Sequence, residues 1–284
     1  MKQLYRFVRS HPLGSRAPLR AFANILLWQL RARMSHTAVR CRWIDGSFLM
    51  VRRGMTGATG NLYVGLHEFA DMGFALHFLR AGDLFVDVGA NVGSYTVLAS
   101  RLCGARSIAF EPDPGTCQNL ADNIRANNLQ PLVSAHESAV GADIGQISFS
   151  MDKDTVNHII EEGDRADSVR SVAITTLDAA LAGLHPALIK IDVEGHEPAV
   201  IRGAQEILAD PSLKALILEG FDDATFALLS RHGFQQYAYD PFARTLVAGE
   251  PHKWSGNILF LRDVAFVARR LSSAQSRTIF GQEF

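Results

Sequence analysis

Two glycines and an acid mark a position in this chain where a ligand could be bound. Residues 83–96 read Asp-Leu-Phe-Val-Asp-Val-Gly-Ala-Asn-Val-Gly-Ser-Tyr-Thr. The apolar part predicts a buried strand ending at Asp87, and Gly89 and Gly93 predict a tight turn into a helix. Such a turn presents backbone N–H groups and the positive helix end to a ligand, and glycine permits close approach. Open α/β sheets bind their ligands at this end of the strands.

The residues of the turn indicate which nucleoside it would bind. Dinucleotide-binding turns read Gly-x-Gly-x-x-Gly, but Asn91 stands at the second glycine position here. Asp87 beside the turn would repel a pyrophosphate, whereas it suits a cationic ligand with an amino group. The pattern therefore favours S-adenosylmethionine. An NAD-dependent oxidoreductase is the alternative that shares the fold.

Further acids are predicted to bind the cofactor. Glu111 ends the next apolar run, 22 residues after Gly89, where a carboxylate would meet a ribose diol. Glu68 lies on the preceding predicted helix, from which it could reach the ligand's amino group. Ser138 completes the set of predicted cofactor contacts.

A second group of titratable residues follows another buried strand. Residues 187–198 read Ala-Leu-Ile-Lys-Ile-Asp-Val-Glu-Gly-His-Glu-Pro. Alternate residues of an extended chain face one way, so Asp192, Glu194 and His196 are predicted to converge and to shift each other's pKa. We predict these three as the catalytic residues, with His196 as the general base at neutral pH. A helix-capping cluster is the structural alternative.

Three more residues are predicted to contact the substrate. Glu219 ends the following strand, and Asn157 and His158 lie in the loop of an insertion that could fold over the site. A divalent cation held by Asp192, Glu194 and Glu219 is the alternative to a histidine base, since Mg²⁺ prefers oxygen ligands. We favour the base, and no metal ligand is assigned.

The elements that position these residues alternate along the chain. Strands are predicted at 84–88, 106–110, 132–137, 187–192, 215–220 and 256–262, and helices near 93–102, 114–127, 197–209 and 222–232. Alternation of this kind predicts an α/β fold with a doubly wound, mostly parallel sheet. The short connection between 237–247 and 256–262 favours a hairpin, so an antiparallel strand is expected at one edge. A glycine-rich loop is predicted at 54–60.

Composition limits the setting in which the protein acts. The net charge is −1 and 48% of the residues are apolar, which indicates a globular protein without a nucleic-acid partner. The cysteines Cys41, Cys103 and Cys117 fit neither a disulfide framework nor a zinc site. A reducing cytoplasm is the predicted location.

The N-terminal region has a distinct charge. Residues 1–44 contain nine lysines and arginines and no acid. The apolar stretch 21–30 is shorter than the roughly 20 residues that span a bilayer. We predict a helix that packs on the catalytic domain. The alternative is peripheral contact with the inner face of an anionic membrane. The predicted divisions are 1–60, a basic helical extension with a hairpin; 61–265, the catalytic domain; and 266–284, a tail.

Together these segments resemble the FkbM-type family of S-adenosylmethionine-dependent methyltransferases. The resemblance runs from about residue 65 to 221, and its most specific part is the segment 190–203. It implies a seven-stranded Rossmann-like fold with one reversed strand. It also implies O-methylation of a hydroxyl on a sugar, glycolipid or secondary metabolite, so the partner would be a small-molecule or glycan acceptor. By position, Asp87, Gly89, Asn91 and Gly93 would hold the methionine end of the cofactor. An amine or a carboxylate acceptor is the alternative, and the oligomeric state is not predicted.

Overall fold

Three helices open the chain and pack beside a small hairpin. The computed structural model describes residues 2–35, 37–150, 169–249 and 256–284. The opening elements are α1 (Lys2–Ser10), α2 (Pro12–Arg16), α3 (Pro18–Met34), β1 (Val39–Arg42), β2 (Phe48–Val51), α4 (Thr56–Val64) and α5 (Phe69–Phe78). Apolar residues of α1, α3, α4 and the β1–β2 hairpin form a cluster that includes Trp28 and Tyr63, whereas α5 packs in the main core. None of the helices in the described ranges is long and apolar enough to cross a membrane.

The predicted α/β alternation is confirmed by the next elements. They are β3 (Leu84–Val88), α6 (Ser94–Val97) with a π-helical turn at Leu98–Leu102, β4 (Arg106–Phe110), α7 (Pro114–Ala126), β5 (Val133–His136), β6 (Ala139–Val140), β7 (Gly145–Ser150), β8 (Val169–Thr175), α8 (Leu177–Ala180), β9 (Leu188–Ile191), α9 (Glu197–Arg202), α10 (Gln205–Ala209), β10 (Ala215–Leu218), α11 (Asp223–Arg231), β11 (Gln235–Asp240), β12 (Thr245–Ala248), β13 (Ile258–Leu261), α12 (Val264–Ser272), β14 (Thr278–Ile279) and β15 (Gln282–Glu283). The predicted single helix 197–209 is two short helices.

One large sheet carries the site. Its order is β12-β11-β13-β10-β9-β3-β4-β5, with β5, β4, β3, β9 and β10 parallel. The strand β13 is antiparallel to β10 on one side and to β11 on the other, so it lies inside the sheet. The strand β12, which forms the hairpin with β11, also runs against the parallel strands, and it lies at the edge, where an antiparallel strand was expected. The strand β12 raises the implied seven strands to eight.

Two segments that were predicted as a loop and a tail contain regular secondary structure. The glycine-rich stretch 54–60 enters α4 at Thr56. The C-terminal residues form α12 and the β14–β15 hairpin, and Ile279 and Phe284 are buried against the core beside Phe69. The insertion forms a separate three-stranded sheet from β6, β8 and β7.

Candidate active site

A cavity of about 540 Å³ lies at the carboxyl ends of the central strands. Its wall includes residues that follow β3, β4, β9 and β10, so the parallel sheet brings the two predicted groups together as expected. Volumes of this size are usual for small-molecule and cofactor sites. Of the predicted site residues, the wall contains Glu68, Gly89, Asn91, Glu111, Ser138, Asp192, Glu194 and Glu219.

The glycine turn is held by its own hydrogen bonds. The N–H groups of Gly89 and Ala90 donate to the Phe110 carbonyl, and that of Gly93 donates to Ala90. The N–H of Asn91 donates to Glu111 Oε2 over 2.9 Å. The prediction that these N–H groups face a ligand is therefore wrong for the turn itself, because they are used within the protein.

The two glycines are required by packing against the protein. Gly89 and Gly93 have φ of 74° and 82°, where a side chain is strained. A Cβ on Gly89 would lie 1.8 Å from the Asp192 carbonyl oxygen, and one on Gly93 would lie 2.4 Å from Leu120 Cδ1. The positive φ at both positions and the backbone contact behind Gly89 are reasons for glycine that do not involve a ligand.

Asp87 is buried behind the turn. Its Oδ2 accepts hydrogen bonds from the Thr96 N–H at 3.1 Å and the Thr96 hydroxyl at 2.6 Å, and the side chain is about 1% exposed. Burial raises its pKa, against the opposing effects of Lys190 and Thr96. Asp87 and Gly93 are not among the residues that line the cavity. Through Thr96, Asp87 instead fixes α6 to the end of β3.

Glu111 lies in the cavity wall and braces the turn. Its Oε1 accepts the Asp113 N–H at 3.0 Å while Oε2 accepts that of Asn91. Burial raises its pKa to about 7, although these two N–H donors oppose the shift. Each carboxylate oxygen has a second lone pair, so the carboxylate can still accept hydrogen bonds from a ribose diol.

A buried lysine forms the floor of the site. Lys190, on β9, is about 3% exposed and its Nζ lies 2.6 Å from Asp192 Oδ2 and 4.9 Å from the centre of the Tyr95 ring. Burial alone would lower the pKa of Lys190, but the charges of Asp192, Glu68 and Asp87 raise it above its usual value. Burial likewise opposes ionisation of Asp192, and Lys190 outweighs it and lowers the Asp192 pKa. The pair is therefore ionised at neutral pH.

Tyr95 is a residue that the sequence reasoning did not select. Its ring lines the cavity, and its buried hydroxyl lies beside the Glu68 carboxyl. Burial, followed by the nearby charges of Glu68 and Asp71, raises its pKa well above the usual value, so it stays a neutral donor. A neutral hydroxyl in this position can hold the Glu68 carboxyl in place.

Three carboxylates meet at the rim of the cavity. One oxygen each of Asp192, Glu194 and Glu219 lies within 4.8 Å of the others. Glu219 keeps part of its surface in solvent, yet partial burial, then the charges of Asp192, Glu194 and Glu197, raises its pKa to about 8. The cluster can hold a proton near neutral pH, and oxygen ligands in this number also suit Mg²⁺.

His196 is placed apart from the other two predicted catalytic residues. It precedes α9, and its Nε2 lies 3.0 Å from the position of a Cβ on Gly141. It is not among the residues that line the cavity. Glu197 is buried and accepts the N–H groups of Val193 and Gly195, so it holds the loop before α9, and its carboxylate also suits the positive end of that helix.

The cavity wall opposite the sheet comes from the N-terminal elements. Leu4 and Phe7 of α1 line it, as does Asn61 of α4, whose Nδ2 donates to Ser94 Oγ over 3.1 Å. Glu68 Oε1 accepts a hydrogen bond from Asn257 Nδ2 at 3.1 Å. Apart from Glu68 these residues carry no motif, and nothing in their spacing signals the site. The predicted substrate residues Asn157 and His158 lie outside the described residues.

Comparison with known proteins identifies the family. The model of the methyltransferase FkbM domain matches residues 87–238, which is more than half of the chain. The chain belongs to the FkbM methyltransferase family. This confirms the resemblance seen in the sequence, and the family's cofactor, S-adenosylmethionine, is the one that the turn predicts.

The individual proteins that resemble this chain share less than a third of its residues over the aligned part. The hexuronic acid methyltransferase AglP of Haloferax volcanii is 28% identical over 129 residues, covering 44% of this chain and 52% of AglP. An FkbM methyltransferase from Methylobacillus flagellatus is 18% identical with a TM-score of 0.46, covering 84% of this chain and 59% of that one. A precorrin-6Y C5,15-methyltransferase from Geobacter metallireducens is 14% identical with a TM-score of 0.40, covering 75% and 91%. The chain thus spans little more than half the length of AglP and of the Methylobacillus protein.

The cavity fits this FkbM cofactor in charge. Its wall carries one lysine, which is paired, and six carboxyl side chains within the described residues: Glu68, Glu111, Asp113, Asp192, Glu194 and Glu219. A sulfonium with an ammonium group is favoured by such a wall, whereas a pyrophosphate is repelled.

Proposed function

We propose that the protein transfers the methyl group of S-adenosylmethionine to a hydroxyl of a neutral sugar or a sugar-containing molecule. The observation that carries the proposal is the single cavity wall shared by Glu111 and the Asp192–Glu219 cluster. Family membership supports methyl transfer, and the likeness to AglP supports a sugar acceptor.

The cofactor would lie along the glycine turn. Glu111 would accept the ribose hydroxyls, and Glu68, positioned by the Tyr95 hydroxyl, would attract the ammonium group. Gly89 and Asn91 would form the floor beneath it. When bound, S-adenosylmethionine supplies a methyl group already activated by the sulfonium. The protein must then align the acceptor oxygen and remove its proton.

The proton would be taken by the carboxylate cluster. A sugar hydroxyl is a weak acid, and an effective base has a pKa near the working pH. Glu219, with a pKa raised to about 8, meets this condition, and Asp192 stays ionised through Lys190. His196, the base predicted from the sequence, remains the alternative, and the two are separated by their pH profiles.

The charge of the wall restricts the acceptor. A uronic acid would bring a carboxylate beside Asp192, Glu194 and Glu219, while Lys190 is already paired. Like charges in a cleft cost binding energy. We therefore propose a neutral sugar rather than the hexuronic acid that names AglP.

The experiment is a methylation assay with labelled S-adenosylmethionine and matched acceptors. Methyl glucoside and methyl glucuronoside differ in one carboxylate, and carbon NMR of the product distinguishes a methyl ether from a methyl ester. Turnover of the neutral sugar to a methyl ether is expected. A methyl ester on the uronic acid, or an N-methyl product from an amino sugar alone, would contradict the proposal.

A further inference from the structure

The helix α3 is apolar on two opposite faces. Ala21, Ile25 and Trp28 follow helical spacing and are buried against the protein. A second set of apolar side chains points outward and consists of Leu19, Leu26, Leu27, Leu30 and Met34. Leu19 is 87% exposed and Met34 is 84% exposed. Residues at i, i+7, i+11 and i+15 share one face of a helix, so these side chains form a continuous stripe. We call this stripe the α3 face.

Packing of the N-terminal helix on the protein and contact of that helix with a membrane, which were alternatives in the sequence, are therefore compatible in the structure. The helix does pack on the protein, as predicted, but through the side opposite the α3 face. Contiguous exposed apolar surface of this kind marks an interaction site. Because α3 packs on the protein through its opposite side, the five side chains of the α3 face remain accessible to a partner.

Cations border the α3 face on both sides. At 100° per residue, Arg20 and Arg31 lie beside Leu27, and Arg33 lies beside Leu26; all three arginines are exposed. The neighbouring helix α1 adds exposed Lys2, Arg6 and Arg9, and the stacking of Tyr5 on Phe22, with centroids 6.0 Å apart, fixes it beside α3. An apolar stripe with a cationic border matches the surface of an anionic bilayer.

A second cavity opens beside the α3 face. It measures about 470 Å³, and Leu27 and Trp28 contribute to its wall. Three arginines line it, Arg20, Arg31 and Arg42, and the residues found in its wall include no acid. Guanidinium groups bind phosphate oxygens through paired hydrogen bonds, so this cavity suits the phosphate of a lipid headgroup.

We propose that the α3 face docks on an anionic phospholipid bilayer, with the leucines among the acyl chains and the arginines on headgroup phosphates. A second copy of the chain is a poorer occupant. A two-fold contact through this face would oppose two regions that each carry nine cations and no acid, and like charges repel. The proposal does not depend on the methyl acceptor or on the catalytic base.

Co-sedimentation of the full chain with vesicles tests the proposal. Binding is expected to mixed phosphatidylglycerol and phosphatidylcholine vesicles, with far less to pure phosphatidylcholine and with loss at high salt. The double variant Leu26→Glu, Leu30→Glu should bind at least about tenfold more weakly, because burial of two leucines is lost and two anions are added. The matched control is Ile144→Glu, Val247→Glu, which removes two exposed apolar side chains elsewhere and adds the same charge.

The control and the α3 variant should unfold at the same temperature as the native protein, since all four side chains are exposed. Equal binding by the two double variants would overturn the proposal, as would equal binding to charged and neutral vesicles. Light scattering decides on a second copy. A native dimer that fails to sediment with either vesicle, and that Leu26→Glu, Leu30→Glu converts to a monomer, would also overturn it.

Discussion

Gly89 and Asp192 touch across the ends of two neighbouring strands. A Cβ on Gly89 would lie 1.8 Å from the Asp192 carbonyl oxygen, so the backbone after β3 passes directly against the backbone after β9. The two segments that identify the family are thus packed on each other. The position of the carboxylate cluster depends on a glycine in the nucleotide turn.

Replacing Gly89 by alanine should therefore destabilise the protein by about 2–4 kcal/mol, from the clash and the strained φ together. Chemical denaturation measures the change. Gly82→Ala is the matched control, because Gly82 also has a positive φ, 89°, but a Cβ there meets nothing within 4 Å. It should cost only about 1 kcal/mol. Equal losses for the two variants would show that the contact with Asp192 is unimportant.

Much of the fold could be predicted from the sequence, because buried parallel strands are short apolar runs with clear ends. The strands β3, β4, β9 and β10 lie within one residue of prediction at their first residue. The helix α4 was missed because Gly54, Gly57 and Gly60 favour a loop, although the last two lie in a helix that packs on α3 and β2. An antiparallel strand was expected at one edge, and β12 is antiparallel there. The strand β13, within 256–262, runs antiparallel inside the sheet, since a hairpin does not reveal which strand is outermost.

The sequence indicated most of the residue types in the site, but not how their side chains are arranged. Asp192, Glu194 and His196 were expected to converge on the assumption of an extended chain. Glu194 instead has φ of 52°, and His196 has φ and ψ of −93° and 6° as α9 begins, so the alternation fails at His196. Lys190 gave a signal, a charge inside an apolar strand, which the prediction did not use. Leu4, Phe7 and Tyr95 reach the site through tertiary packing.

The Tyr95 hydroxyl should matter for binding and not for folding. Tyr95→Phe removes a buried hydroxyl that lies beside the Glu68 carboxyl, so the free energy of unfolding should change by less than about 1 kcal/mol. Affinity for S-adenosylhomocysteine should fall about threefold to tenfold, because the hydroxyl no longer holds the Glu68 carboxyl that we propose attracts the ammonium group. Calorimetry measures the affinity of Tyr95→Phe and of Val140→Ala, which changes an apolar side chain of the cavity wall, and chemical denaturation measures the stability of Tyr95→Phe. Unchanged affinity would show that the hydroxyl does not position Glu68.

The carboxylate cluster could act as a base or bind a cation, and the two roles predict different responses to EDTA and Mg²⁺. If proton removal by Glu219 suffices, activity should survive EDTA and Mg²⁺ should not raise it. If Asp192, Glu194 and Glu219 instead hold a cation, EDTA should abolish turnover, Mg²⁺ should restore it, and Glu194→Gln should weaken Mg²⁺ binding in calorimetry of the protein alone. We expect the first result. The effect of Glu194→Gln on Mg²⁺ affinity separates a bound cation from a salt effect.

The pH dependence of turnover separates the two candidate bases. Glu219 has a pKa raised to about 8, so it holds its proton at pH 6 and loses it as the pH rises through about 8. Turnover of the native protein should rise over that interval, whereas a histidine base would give a rise near its usual pKa of about 6.5. Glu219→Gln should lower turnover by about 10²–10⁴ and remove the rise.

His196→Ala should retain both the pH profile and the affinity for S-adenosylhomocysteine, because the imidazole lies beside Gly141 and outside the cavity wall. A profile centred near 6.5 that disappears in His196→Ala and persists in Glu219→Gln would return the base role to the histidine.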